Sequence, residues 1–405
     1  MSDDYYIRTT CRLCDSDDLE LVLCLEPTPL CDAYLTEIHQ QDKFPLNLLL
    51  CKDCSFVQID CVVNSDVIYR DYTFVTTSSL PLQDHFGRYA DDVINKLDIG
   101  PRQFAIDIGS NEGTLLQELK DRGLRVLGIE PATDIAKLSN KRGIETVCDY
   151  FSPSSAERIS VTHGQADLVT INNVFANIDD LTDFVSGLVI LVKEDGYVVI
   201  ESSYLPDMLE NMIFDFIYHE HLSYLSIKPL ANFFRKFGFR LVDVDHVDTK
   251  GGSMRYYFRK TNKEGSAVDA VKKWMEYEES KQIYEAKTYR QFEKSIALEK
   301  TKSLTILDSY PPEAVVGYGA SATTTTLMYH FELGERITCL VDDNPAKIGT
   351  YSPGHHLPVY DPNWINQSCA EVVYVFAWRY ASEIIKKHSP FSGKFVVPLP
   401  SLKII

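Results

Sequence analysis

The fold of the middle of this chain can be inferred from residues 105–116, AIDIGSNEGTLL. An apolar run ends at Asp107 and Ile108, a Gly-rich turn follows, and an amphipathic segment begins at Thr114. Gly109 and Gly113 allow a tight turn and a close approach of the backbone to a ligand. In open α/β sheets, ligands bind at the carboxyl ends of the strands. The pattern therefore predicts a buried strand, a ligand-binding loop and a helix.

Other short apolar runs alternate with amphipathic stretches from about residue 100 onward, among them LRVLGIE, ADLVTINNVF and GYVVIESS. Continuous apolar runs bounded by Gly and Asp are typical of buried parallel strands, so we predict a doubly wound α/β fold here. LRVLGIE ends in Glu130, about twenty residues after the loop, where a carboxylate can accept hydrogen bonds from two ribose hydroxyls. A nucleoside-type cofactor is expected.

The D-x-G-x-x-x-G loop resembles the first motif of Rossmann-like S-adenosylmethionine-dependent methyltransferases and differs from the G-x-G-x-x-G dinucleotide fingerprint. A dinucleotide needs helix-terminal amides open to a pyrophosphate, whereas S-adenosylmethionine has no phosphate and carries a sulfonium that an acidic neighbourhood suits. The alternative is a tight turn that binds nothing. We assign the cofactor site to Asp107, Gly109, Ser110, Asn111, Gly113, Glu130, Phe151 and Asn173.

Seven of the ten cysteines lie in the first 61 residues, and four of these form two C-x-x-C pairs, Cys11 with Cys14 and Cys51 with Cys54. Two such pairs can complete the four-sulfur shell that closed structural zinc sites prefer. With all four positions taken by sulfur, the zinc would hold a small domain together and perform no chemistry. Chance spacing or a redox pair is the alternative.

Composition restricts the class of protein. The net charge of −18 disfavours nucleic acid as a partner, because affinity there depends on Lys and Arg that neutralise phosphates. No apolar run approaches the roughly 18 residues of a membrane helix, and the start of the chain is polar and acidic. We expect a cytoplasmic protein with reduced thiols that is a monomer or a weak dimer and binds a small molecule, with neither membrane nor nucleic acid as a partner.

The last third of the chain predicts a further domain. Residues 266–305 lack Pro and Gly and have helical spacing, so one long helix is expected. A second α/β pattern follows, and its GYGASA stretch, residues 317–322, fits G-x-G-x-x-A with Asp342 and Asp343 after the next strand. Alone it predicts nicotinamide binding. We favour a scaffold or substrate wall, because the middle domain already supplies a cofactor loop.

The four-cysteine module, the D-x-G-x-x-x-G domain, the Y-H-E-H-x-x-Y segment at 218–224 and the terminal GYGA and VDDNPAK motifs together resemble one family. It is the sugar C-methyltransferases that act on nucleotide-linked keto-deoxysugars. The resemblance implies methyl transfer to a carbon beside a ketone, with a thymidine-diphosphate sugar as the expected substrate. It implies a zinc-binding domain at 1–70, an S-adenosylmethionine-binding domain at 71–265, and an α/β domain at 266–405 that contributes to the substrate site.

The same resemblance gives roles to the polar residues. His221 removes the proton alpha to the ketone, Glu220 orients or assists it, and Tyr218 hydrogen-bonds the substrate or the enolate. Tyr72 matches another active-site tyrosine that touches cofactor or substrate. These residue types suit the chemistry, because imidazole has a pKa near neutral pH and a phenol can donate to an oxyanion. A plain polar loop, or a metal site built on His219 and His221, is the alternative.

The chain departs from the family pattern at three positions. Asn177 and Lys250 stand where histidines are common, and Thr323 stands where a lysine often follows the GYGA loop. These departures indicate a changed substrate or a loss of turnover. The rival functions are a nicotinamide oxidoreductase that uses GYGASA, a methyltransferase acting on oxygen or nitrogen, and a binding module without activity.

Overall fold

A computed structural model of the chain describes residues 4–64, 67–68, 80–249, 251–261 and 268–405. Within these residues, no helix combines the length and the apolar character needed to cross a membrane. The predicted domain boundaries at residues 70 and 265 fall on positions outside the described ranges, so they stay predictions.

The amino-terminal part is built from strands β1 (Tyr5–Ile7), β2 (Leu19–Thr28), β3 (Phe44–Cys51), β4 (Val57–Ile59) and β5 (Cys61–Val63). β2, β3 and β4 form an antiparallel meander, and β1 pairs with β5. In β3, Leu46, Leu48 and Leu50 are buried and the residues between them are half-buried, as expected when one face of a sheet covers a core.

The middle part alternates helices and strands in the predicted order. Its elements are α1 (Leu80–Leu97), β6 (Phe104–Ile108), α2 (Thr114–Asp121), β7 (Arg125–Ile129), α3 (Thr133–Lys141), β8 (Thr146–Val147), α4 (Pro153–His163), β9 (Ala166–Asn172), α5 (Leu181–Leu191), β10 (Val192–Ser203), α6 (Leu205–Glu210), β11 (Ser223–Tyr224), α7 (Ile227–Arg235), β12 (Phe239–Val247) and β13 (Ser253–Lys260). Short 3-10 helices span Phe175–Asn177 and Phe214–Phe216.

The main sheet of this part has the order β12-β13-β10-β9-β6-β7-β8. The five strands from β10 to β8 are parallel, and β13 is antiparallel to both β10 and β12. The chain leaves β6 in one direction towards β7 and later returns to its other side as β9. This switch point opens a crevice at the carboxyl ends of β6 and β9, so the predicted cofactor loop lies where an open α/β sheet binds ligands.

The long helix predicted over 266–305 is wrong, because two helices occupy this region, α8 (Asp269–Ser280) and α9 (Ala286–Leu307). Between them Gln282 adopts a φ of 54°. The reason is tertiary, since the break buries Ile283 and brings the Tyr284 hydroxyl onto the carboxylate of Glu278. Glu278 also accepts hydrogen bonds from the amides of Ile227 and Lys228, so it fixes α8 to the start of α7.

The carboxy-terminal part is a second α/β unit, as predicted. It contains β14 (Val315–Tyr318), α10 (Ala322–His330), β15 (Cys339–Val341), β16 (Val359–Tyr360), α11 (Trp364–Gln367), β17 (Val372–Val375), α12 (Ala381–Lys387), β18 (Lys394–Val397) and β19 (Lys403–Ile404), with 3-10 helices at Pro312–Ala314 and Trp378–Tyr380. The sheet order is β16-β15-β14-β17-β18-β19, and only β19 is antiparallel to its neighbour. A second switch point therefore lies between β14 and β17.

The three parts share apolar cores. One core runs from the inner faces of β2, β3 and β4 through the segment 205–224 to the carboxy-terminal sheet. A second core joins Cys11 and Cys51 to the middle sheet. The segment around the predicted catalytic residues thus lies where all three parts meet.

Candidate active site

The loop between β6 and α2 has the backbone that its glycines predict. Gly109 and Gly113 have φ values of 72° and 82°, a region that favours residues without a side chain. A Cβ at Gly109 would lie 2.4 Å from Cγ2 of Val174, the residue after Asn173. The loop therefore packs closely against the segment that follows β9.

Glu130, at the end of β7, is bound to this loop. Its Oε2 accepts a hydrogen bond from the Asn111 amide at 3.0 Å, and its Oε1 accepts one from the Ala132 amide at 2.9 Å. Each carboxylate oxygen keeps a second lone pair, so the side chain can still accept hydrogen bonds from ribose hydroxyls. Ser110 supplies a buried hydroxyl without a partner among the described residues. These features fit S-adenosylmethionine at this crevice.

Asp107 and Asn173 join the two central strands at the crevice. The Thr170 hydroxyl donates to Asp107 at 2.6 Å, and this bond fixes the end of β6 to β9. Burial, with a smaller effect of Glu130, raises the pKa of Asp107 to about 7. Asn173 has a φ of 55° and donates its amide to the Glu201 carbonyl at 2.8 Å. The sequence did not reveal Thr170, because a strand threonine carries no motif.

Phe151 follows β8 at the same edge of the sheet. Its ring meets Phe184 of α5 edge-on, with 5.0 Å between centroids, and it also packs against Gly187. The side chain is half-buried, so one part of the ring is held by α5 and the rest faces outward. Its contact with a cofactor stays a prediction.

The four predicted zinc ligands come together. The sulfurs of Cys11, Cys14, Cys51 and Cys54 all lie within 4.8 Å of one another, with 3.5 Å between Cys11 and Cys54 and 3.6 Å between Cys14 and Cys51. Tetrahedral zinc with bonds of about 2.3 Å requires sulfurs about 3.8 Å apart, so the cluster fits the ion. Asp15 and Ser55, directly after the second cysteine of each pair, have φ values of 61° and 63°, which turn both knuckles tightly.

Tyr218 and His221 lie together beside Tyr224. The His221 ring is 6.0 Å from the Tyr218 ring and 5.3 Å from the Tyr224 ring, and its side chain is nearly buried. A hydrogen bond from the His221 amide to the Tyr218 carbonyl, 2.9 Å long, closes the turn that brings the two side chains near each other. Tyr72, the fourth predicted catalytic residue, lies outside the described residues.

The Glu220 carboxyl is buried and feels the charges of Asp32 and of Lys347 in the carboxy-terminal part. Burial and the Asp32 carboxylate raise the pKa of Glu220 to about 7, and Lys347 opposes this shift. Its Oε2 is buried and has no hydrogen-bond partner within the described part of the chain. Such a carboxyl exchanges protons near neutral pH, which suits an assisting role in proton transfer.

His219 has a different role from its neighbours. It is fully buried, its Nε2 donates to the Pro45 carbonyl at 3.1 Å, and its ring meets Phe44 edge-on. Burial lowers the pKa of His219 to about 4. A metal site that pairs His219 with His221 is not supported, because the four cysteines are the only metal-ligating cluster among the described residues.

A cavity of about 430 Å³ opens at the second switch point. Arg379 lines it, together with the residues Tyr318, Gly319, Ser321, Thr323, Asp342, Asp343, Ala377, Tyr380, Glu383, Ile384 and Lys387. The guanidinium of Arg379 donates to both carboxylate oxygens of Asp215 at 3.1 and 3.2 Å, and Trp378 donates to Asp215 at 2.9 Å. Asp215 is fully buried and belongs to the segment that carries the predicted catalytic residues, a link that sequence reasoning missed because its partner lies 164 residues away.

The run Thr323–Thr326 joins this cavity to the segment that carries the predicted catalytic residues. The hydroxyl of Thr326 donates to the Ile217 carbonyl at 3.0 Å, and that of Thr325 donates to the Cys31 carbonyl at 2.7 Å. Thr323, where the family often has lysine, accepts a hydrogen bond from Arg379 at 3.4 Å. With threonine at position 323, the cavity has one positively charged side chain fewer than the family motif would place there.

The other two departures lie elsewhere. Asn177 ends the 3-10 helix after β9, and this helix packs against β11 beside His221. Lys250 lies outside the described residues.

Three protein-family models match the chain in the order of its parts. They are "Putative zinc binding domain" over residues 11–69, "Methyltransferase domain" over 84–244 and "C-methyltransferase C-terminal domain" over 248–400. The C-methyltransferase NovU of Streptomyces niveus is 30% identical over 404 residues, which cover 98% of this chain and 96% of that protein.

Two further similarities are shorter or more distant. The ubiquinone biosynthesis O-methyltransferase of Burkholderia thailandensis is 24% identical over 164 residues, 36% of this chain and 68% of that protein. A solved S-adenosylmethionine-dependent methyltransferase from Archaeoglobus fulgidus aligns with a TM-score of 0.38 and 16% identity, over 48% of this chain and 98% of that one. Only the match to NovU covers all three parts of the chain among these relatives.

Proposed function

Because the chain belongs to the C-methyltransferase family that its motifs resemble, we propose that its substrate is a keto-deoxysugar linked to thymidine diphosphate. S-Adenosylmethionine and a structural zinc are its cofactors. The methyl acceptor in this proposal is a carbon beside the sugar ketone.

The bond between Asp215 and Arg379 is the observation that carries the proposal. It joins the segment 215–224 to a cavity that has two cations able to bind phosphate groups, Arg379 and Lys387. The same lining carries the carboxylates of Asp342, Asp343 and Glu383, and Lys387 pairs with Asp343. The amino terminus of α10 reaches the same cavity through Ser321 and Thr323, and helix amino termini favour anions. A diphosphate bound there can leave its sugar near Tyr218, because the Arg379 guanidinium stacks 4.6 Å from Phe216 and the Phe216 and Tyr218 rings are 6.1 Å apart.

His221 is assigned the first chemical role. Its imidazole takes the proton from the carbon beside the ketone, and the electron pair of the broken C–H bond moves to the carbonyl oxygen as an enolate. The two tyrosine rings shield most of the His221 imidazole from bulk water, and the 8% that stays exposed lets the ring exchange its proton with solvent. After methylation the imidazolium returns its proton to solvent.

Tyr218 and Glu220 are assigned supporting roles. The Tyr218 hydroxyl donates to the enolate oxygen, where charge develops. Glu220, with its pKa raised to about 7, assists His221 by holding or receiving a proton near neutral pH. We keep Tyr72 as a further contact with cofactor or substrate.

The cofactor residues hold the methyl donor beside this pocket. When bound, S-adenosylmethionine supplies an electrophilic methyl group. Glu130 binds the ribose hydroxyls, and the loop from Gly109 to Gly113 accommodates the rest of the cofactor by close backbone approach, with Asp107, Phe151 and Asn173 at the same edge of the sheet.

The ten cysteines bear on the cellular compartment of the protein. All ten cysteines are free in the structure, and a four-thiolate zinc site requires reduced sulfur. We therefore propose a cytoplasmic location, and we retain the prediction of a monomer or weak dimer.

The substrate is tested by incubating the protein with a thymidine-diphosphate keto-deoxysugar in deuterium oxide, with and without S-adenosylmethionine, followed by mass spectrometry. A new methyl group, together with deuterium uptake beside the ketone when the donor is absent, is the expected result. Uptake without methylation would retain the chemistry and point to a different sugar. If the protein binds the donor but shows neither methylation nor deuterium uptake, the proposed sugar substrate is refuted. In parallel, NADH should leave the melting temperature unchanged.

The role of His221 is tested by His221→Ala, which should abolish both methylation and deuterium uptake while cofactor affinity stays unchanged. His163→Ala serves as control, because His163 ends α4 at the surface and pairs with Glu145. Full turnover by His221→Ala would remove His221 from its role.

A further inference from the structure

The segment that follows His221 is a strand of the zinc-binding part. Ser223 and Tyr224 of β11 pair antiparallel with Gln58 and Val57 of β4, at the edge of the meander β4-β3-β2. The Ile59 amide also donates to the Leu222 carbonyl at 3.1 Å. The position of His221 is therefore set by the amino-terminal sheet, although the residue belongs to the middle part of the chain.

Arg12 connects the zinc knuckle to the same segment. It lies between the zinc ligands Cys11 and Cys14, and only 1% of its surface is exposed. Its Nη1 donates to the Ile59 carbonyl at 2.7 Å and to the Leu222 carbonyl at 3.4 Å. One guanidinium nitrogen thus bridges β4 and the residue next to His221.

The other contacts of Arg12 make this bridge rigid. Its Nε donates to Asp179 at 3.0 Å, two residues after the 3-10 helix that ends at Asn177. Its backbone amide donates to Gln58 Oε1 at 2.9 Å, and Gln58 donates to the Thr10 carbonyl at 3.0 Å. A buried guanidinium with several acceptors in fixed directions has little freedom to move.

We propose that Arg12 is a positioning residue for His221, and that zinc binding acts on catalysis through it. Zinc fixes the Cys11–Cys14 turn, the turn fixes Arg12, and Arg12 fixes the Leu222 carbonyl and with it the orientation of the His221 backbone. This inference rests on the proposed role of His221. A displacement of about 1 Å at a reacting group can lower the rate about 100-fold, so loss of the bridge has a measurable effect on turnover.

The chain offers a matched pair of variants. Arg12→Met keeps the apolar stem and removes the donors to Leu222, Ile59 and Asp179. Arg8→Met is the control, because Arg8 also binds Asp179, at 3.3 Å, while its other side-chain contacts are to Thr10 and Asp15. We expect Arg12→Met to lower kcat about 10- to 100-fold with little change in the KM for S-adenosylmethionine, and Arg8→Met to stay within about twofold of the wild type. Arg12→Lys should recover part of the lost rate.

Amide hydrogen exchange separates positioning from general stability. In Arg12→Met, peptides covering residues 216–226 should exchange faster, while peptides of β6 and β14 should keep the wild-type rate. Removing zinc from the wild type with a chelator should speed exchange in the same peptides. Zinc content should remain one per chain in Arg12→Met.

The outcomes distinguish the two hypotheses. Unchanged exchange in peptides 216–226, or a kcat equal to that of Arg8→Met, would overturn the role of Arg12. An active His221→Ala variant would refute the proposed role of His221, while the exchange experiment would still report whether Arg12 holds the segment. Should Arg12→Met not fold, Asp179→Asn removes the charge that orients the guanidinium and keeps the side-chain shape. The kcat of Asp179→Asn should fall severalfold. If this variant keeps the wild-type kcat and the wild-type amide exchange rate in residues 216–226, the inference is overturned.

Discussion

Gly109→Ala is the most direct test of the cofactor loop, because its two costs can be separated. The φ of 72° at Gly109 disfavours any residue with a side chain, at roughly 1–2 kcal/mol. The added Cβ would also lie 2.4 Å from Val174 Cγ2, and overpacking of this kind costs roughly 1–3 kcal/mol. We expect the variant to lose roughly 2–5 kcal/mol of stability, and to bind S-adenosylmethionine at least about tenfold more weakly because the loop must shift.

Two further variants isolate these costs. Gly143 has a φ of 83° and open space around its Cβ position, so Gly143→Ala carries the backbone cost alone. Adding Val174→Ala to Gly109→Ala removes the methyl group that clashes, so the double variant should recover the overpacking cost and part of the affinity for S-adenosylmethionine. Calorimetric titration with the cofactor and melting temperatures with and without it measure both quantities.

Two results would refute this reasoning. If Gly109→Ala binds S-adenosylmethionine as the wild type does, the loop is not the cofactor site. If Val174→Ala restores nothing, the clash with Val174 is not the source of the defect.

Two other predictions concern the zinc site and acid stability. Cys54→Ser should reduce the zinc content and lower the melting temperature by several degrees, because it removes one of four sulfur ligands. Cys148→Ser, at an exposed thiol, should change neither quantity. Elemental analysis measures the zinc and thermal unfolding the stability, and full zinc retention in Cys54→Ser would contradict the four-sulfur site. Burial lowers the pKa of His219 to about 4 in the folded protein, whereas an unfolded histidine takes up a proton below about pH 6.5. Between these values only the unfolded chain is protonated at this residue, so the free energy of unfolding should fall as the pH drops from about 6.5 towards 4, by about 3 kcal/mol at most. His219→Gln, which keeps a donor for the Pro45 carbonyl, should flatten this dependence in urea unfolding between pH 7 and 4, and an unchanged slope would contradict it.

Features that are local in sequence could be predicted. The cofactor loop and each cysteine pair depend on residues a few positions apart, so their spacing alone specifies a turn and a set of ligands. The strands of both α/β parts could be predicted for the same reason, since a buried parallel strand is a continuous apolar run.

Features that depend on distant partners could not be predicted. The helix expected over 266–305 is interrupted because Glu278 and Ile283 have buried partners elsewhere, which propensity does not record. β11 consists of two residues, too few for any periodic signal, and its partner β4 is distant in sequence, since Val57 lies 167 positions before Tyr224. The role suggested for Arg12 was hidden for the same reason, because the sequence shows only an arginine between two cysteines.

Residues 215–224, DFIYHEHLSY, show why residue types alone could not distinguish a catalytic cluster from a metal site or a polar loop. Asp215 binds Arg379 of the carboxy-terminal cavity, and His219 is buried against β3, so two of the segment's ionisable groups serve neighbouring parts of the protein. The rings of Tyr218 and His221 lie 6.0 Å apart, and these are the two residues to which the proposed reaction assigns direct roles. Because each part of the chain holds a different residue of this segment, substitutions within it should affect different quantities. A change at Asp215 should act on substrate affinity, one at His219 on stability and one at His221 on turnover.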